Sequence, residues 1–98
     1  MTFNELKEIL DKYPFVVEQK YIFIDLNRFR NNEEEFSSFA FVFVKNLWGR
    51  YCVWRNIDYE YGRVKDRKEF KDINLAADYL WELFGGENKL NELIKKYN

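Results

Sequence analysis

Apolar positions recur at helical spacing over residues 2–13, where Leu6, Ile9, Leu10 and Tyr13 share a face. Thr2 and Glu5 have the Thr-x-x-Glu spacing of a capping box, in which each side chain satisfies the other residue's free amide. Pro14 pushes Tyr13 out of the helical region, so the helix is expected to stop there. Residues 15–26 read as a strand from Val16, Val17, Ile22, Phe23 and Ile24, interrupted by Glu18-Gln19-Lys20. Residues 27–35 are polar, with Asn31-Asn32 at the expected turn.

The strongest alternation lies in residues 36–45. Phe39, Phe41 and Phe43 fall on one face, and Ala40, Val42 and Val44 on the other. Apolar residues on both faces predict a strand at the centre of a sheet. Asn46 to Arg50 is a hairpin connection in which Gly49 is free to take positive φ. The next strand, 51–58, places Tyr51, Val53, Arg55 and Ile57 opposite Cys52, Trp54, Asn56 and Asp58. A turn at 59–62 leads to a charged strand at 63–70, of the kind found at sheet edges.

Residues 74–84 return to helical spacing, with Leu75, Ala76, Tyr79, Leu80, Leu83 and Phe84 in one stripe that ends at Gly85-Gly86. A last helix over 87–97 carries Leu90, Leu93, Ile94 and Tyr97, and Lys95 and Lys96 complement its C-terminal dipole. The pattern predicts one α+β domain spanning 1–98, in the order α-β-β-β-β-α-α. Its sheet is expected to be an antiparallel three- to four-stranded meander with the helices packed on one face.

Composition then narrows the function. The 98-residue chain has no histidine and a single cysteine, Cys52. That removes the commonest general base, the Ser-His and Cys-His pairs and the usual zinc ligands, and it precludes an internal disulfide. Cys52 sits in a strand without a base and reads as a buried structural residue. Gly85-Gly86 follows a helix and caps it rather than opening a phosphate cradle. Asp25, Asp58 and Glu60 fall near strand ends but lack any metal-ligand spacing. No metal, no cofactor and no catalytic residue is expected. The opening segment is a polar helix rather than a signal peptide, and no apolar run is long enough for a membrane, so a cytoplasmic protein is expected.

Sixteen basic residues face seventeen acidic ones, for a net charge of −1, which argues against a dedicated nucleic-acid partner. A local basic patch from Arg28, Arg30, Arg63, Lys65 and Arg67 is the alternative reading. Aromatics reach 20% of the chain, and several fall in connections. Trp48 is at a hairpin tip, and Tyr59 and Tyr61 flank Glu60. Tryptophan and tyrosine are the residues most enriched at binding hot spots. With the acidic run Glu33-Glu34-Glu35 and with Asp58, they make Glu33, Glu34, Glu35, Trp48, Asp58, Tyr59, Glu60 and Tyr61 the candidate partner-binding residues.

The segment 51–84 also resembles a known family. A Tyr51-x-Val53-Trp54 strand runs into an acidic turn ending in Gly62, then a charged strand, Phe70 and an apolar helix with Ala76, Tyr79 and Leu80. This resembles the small α+β immunity proteins of bacterial polymorphic toxin systems. The family's turn often carries an acidic-Arg-Gly sequence, whereas this chain has Glu60-Tyr61-Gly62. The resemblance implies an intracellular, non-catalytic protein that binds and neutralises a cognate toxin domain.

Overall fold

The computed structural model describes residues 1–29, 38–58 and 63–97. Helix α1 (Phe3–Lys12) opens on the expected capping box. The Glu5 N–H donates to Thr2 Oγ1 at 3.2 Å, and the Thr2 N–H donates to Glu5 Oε1 at 3.1 Å. Pro14 ends α1, yet its φ of −62° also starts a further helical turn, α2 (Phe15–Glu18). The strand expected from residue 15 therefore begins only at β1 (Ile22–Phe29). Val16 is 1% exposed within the main core, and this burial overrides the β preference of the Val16-Val17 pair. Lys20, at φ 63°, turns the chain from α2 into β1.

Strands β2 (Phe41–Lys45), β3 (Tyr51–Asp58) and β4 (Arg63–Phe70) complete a four-stranded sheet in the order β1-β2-β3-β4. The α+β class and the consecutive strand order match the sequence pattern, with β2 and β3 inside and the charged β4 at an edge. One pairing differs: β2–β3 and β3–β4 are antiparallel, but β1 runs parallel to β2, with Ile22 beside Phe41 and Asp25 beside Val44. The sheet is mixed rather than an antiparallel meander. β1 continues to Phe29, past the start of the expected polar loop. The chain then returns to the beginning of β1, where the N–H groups of Ala40 and Phe41 donate to the carbonyls of Lys20 and Tyr21 at 3.1 and 3.0 Å. Either direction buries the same alternate side chains, so period-two patterning is silent on the choice.

Helices α3 (Ile73–Phe84) and α4 (Gly86–Tyr97) pack with α1 and α2 on one face of the sheet. Gly85 ends α3 at φ 115°, and a Cβ there would stand 2.8 Å from the Lys89 Cβ, so this cap requires glycine. The buried stripe of α3 is Ala76, Ala77, Leu80 and Phe84. Leu75, expected in that stripe, is 59% exposed. The helix-side core joins these residues to Leu6, Val16, Ile22, Phe43, Val53, Leu90 and Leu93.

The opposite face of the sheet has its own apolar cluster of Val42, Val44, Cys52 and Trp54, with Phe23, Phe39 and Val64 packed against it. Phe39 was expected on the face of Phe41 and Phe43. It precedes β2 and falls on the other side, its ring centroid 4.9 Å from that of Phe23. Asn56 is 6% exposed in this layer. It accepts the Trp54 Nε1–H at 3.0 Å and donates Nδ2–H to the Phe39 carbonyl at 2.6 Å, tying β3 to the segment before β2. Asn56→Ala removes both partners at once and should destabilise the chain by about 2–3 kcal/mol. Urea unfolding should show a lower midpoint with an unchanged m-value, and an unchanged midpoint would contradict this role.

Candidate functional site

Two exposed large apolar side chains sit together at the β2–β3 hairpin. Trp48 is 80% exposed and Leu47 53%. Their exposure does not come from a loose loop. Asn46, itself buried, accepts the N–H groups of Trp48 and Arg50 on Oδ1, both at 3.0 Å. Its own N–H donates to the Arg50 carbonyl at 2.9 Å, and its carbonyl accepts the Gly49 N–H at 3.1 Å. Gly49 takes φ 76°, as the turn requires. Asn46 Nδ2 reaches Glu69 Oε1 on β4 at 3.4 Å, which anchors the turn to the neighbouring strand. The result is an apolar pair on a fixed turn, with the exposed Arg50 following it and the Lys45 ammonium 5.8 Å from the Tyr51 ring centroid.

The other predicted site residues do not gather around Trp48. Asp58 ends β3, at the opposite end of the strand from the hairpin, paired to Arg63. Seven residue steps of strand separate Tyr51 from Asp58, or about 23 Å at the usual rise. Glu33, Glu34, Glu35, Tyr59, Glu60 and Tyr61 lie outside the described residues.

No family model, curated protein or solved structure matches this chain. Its own surface therefore carries the functional reading.

Cys52 is 1% exposed, and burial pushes its thiol pKa up, against the pull of the Arg67 guanidinium. Arg67 Nη2 stands 3.8 Å from the sulfur. A protonated thiol inside a sheet is a poor nucleophile. Among the described residues, no group of three or more Cys, Asp or Glu side chains is placed to hold a metal ion. The Asp25 carboxylate accepts the Asn27 N–H at 3.1 Å. No helix among the described residues is long and apolar enough to cross a membrane.

Lys65 and Arg67 of the basic patch lie on β4. Lys65 and Lys68 are exposed on β4, but Arg67 pairs with Glu69 at 3.5 Å, and Lys68 lies 4.7 Å from the Tyr79 ring centroid. Arg28 and Arg63 are placed in β1 and β4, and Arg30 lies outside the described residues.

One surface had no sequence signal. A groove of about 610 Å³ opens between β1 and the α1–α2 segment. Period-two patterning shows which face of a strand is apolar, but not which strand ends up at an edge, nor which helix stands beside it.

Proposed function

We propose that the chain is a cytoplasmic, non-catalytic protein-binding module, an immunity protein that neutralises a bacterial toxin domain by covering its working surface. The observation that carries this reading is Trp48. A turn held by four hydrogen bonds and carrying an indole 80% exposed loses little further backbone freedom on docking. Tryptophan is also the side chain most often found to dominate binding energy.

The remaining support is size and charge. The chain exposes 6268 Å², and a standard interface takes about 800 Å² from each partner, roughly an eighth of that surface. A patch centred on Leu47 and Trp48 is compatible with that area. The Glu33 to Glu35 run supplies three negative charges that would steer association with a basic toxin domain. The resemblance over 51–84 points to the same class of partner.

The test is co-expression with the product of the adjacent gene. That product is expected to contain a secreted toxin domain that arrests growth alone and is harmless when this chain is present. A neighbour with no toxin domain, or a toxin that still arrests growth beside equimolar chain, would overturn the proposal.

A further inference from the structure

The groove beside β1 has a lining that selects a particular kind of occupant. Residues 23–27 of β1 all contribute to it. Successive strand residues point to opposite faces, so five consecutive residues line one groove only where it opens onto the strand's edge. β1 is the end strand of the sheet, paired on one side only among the described residues. The Tyr21 carbonyl turns toward β2, where it accepts the Phe41 N–H. Backbone groups alternate sides along a strand, so the N–H and C=O groups of Ile24 face away from β2, into the groove; the register with β2 is regular as far as Asp25 and shifts between Asp25 and Phe29.

The far wall is one face of a helix. Phe3, Lys7, Leu10 and Asp11 follow the i, i+4, i+7, i+8 spacing along α1. Val17 and Glu18 of α2 close one end. Phe3, Leu10, Val17, Phe23, Ile24 and Leu26 supply the apolar part of the lining. The charged side chains are Lys7 against Asp11, Glu18 and Asp25, for a formal charge of −2.

An open strand edge offers alternating backbone donors and acceptors, which match an extended backbone. Apolar walls accept alternate side chains, and the acidic rim favours cations. We propose that this groove binds an extended, lysine- or arginine-bearing segment of a partner protein by strand addition to β1. The inference rests on the protein-binding reading and adds to it a second contact surface, away from Trp48.

The test is an NMR titration of the uniformly ¹⁵N-labelled full chain. The probe is an end-blocked heptapeptide of alternating valine and lysine. The amide of Ile24 should shift in a saturable manner, and its hydrogen exchange should slow as it acquires a partner. The same peptide with glutamate in place of lysine should bind about tenfold more weakly. Asp11→Lys with Glu18→Lys, both at exposed helical positions, changes the rim charge from −2 to +2 and should reverse that preference. Perturbation scattered over other acidic surfaces, or no saturable change at Ile24 and its neighbours in β1 at millimolar peptide, would overturn the inference. Concentration-dependent shifts of these amides without peptide would overturn it in favour of pairing between two copies of the chain. A failed titration beside successful growth rescue removes the groove alone and leaves the protein-binding reading standing.

Discussion

Phe43→Ala should lower the melting temperature by roughly 15–30 °C, the largest stability effect expected of any single substitution in this chain. Phe43 is fully buried at the centre of β2 and belongs to the helix-side core. Its ring meets Phe3 of α1 edge-on at 5.8 Å and Tyr51 of β3 at 6.3 Å, so it joins a helix to two strands. Alanine removes the transfer energy of the ring and leaves a cavity that rigid strands on both sides cannot close, at about 3–5 kcal/mol. A domain of this size has a total stability of about 5–15 kcal/mol, so the loss is a large share of it. Thermal unfolding followed by circular dichroism reads the effect. A drop below about 5 °C would mean that the core relaxes around the missing ring.

Trp48→Ala should do the reverse. The side chain is 80% exposed, and the turn's hydrogen bonds involve the backbone of Trp48 and not its ring. The melting temperature should therefore stay within about 2 °C of the parent. Affinity for the proposed partner should fall by about 30-fold or more, the usual penalty for truncating a central aromatic anchor. Thermal unfolding measures the first arm of the comparison and calorimetric titration the second. Asn46→Ala is the informative companion, because it removes the acceptor of two turn amides and the contact with Glu69. It should weaken both the fold and the partner complex. A Trp48→Ala protein that binds with parent affinity would remove the hairpin from the interface.

Each of these predictions draws on both levels of information in different measure. The α1 capping box, the αL glycine at 85 and the two faces of β3 are read directly from neighbouring residues, because each depends on contacts a few positions apart. The central place of β2 follows as well, since apolar residues on both faces have no other stable location. The exposed position of Trp48 was legible only as a hairpin tip; that its ring stays in solvent depends on Asn46 being held by β4.

Other features needed the assembled molecule. Val16 and Val17 favour a strand by themselves, but Val16 completes the core only from a helical turn, so burial decided α2. The antiparallel direction expected of β1 does not hold, because parallel and antiparallel pairing bury the same alternate side chains and the pattern does not choose between them. The distance from Trp48 to Asp58 follows from the length of β3 and divides residues that composition alone had grouped. The groove beside β1 exists because that strand became an edge and α1 packed next to it. Period and capping are properties of short segments and are written in the chain. Which edge remains open, and which side chains meet across it, depends on contacts between residues far apart in sequence, and only the packed structure decides those.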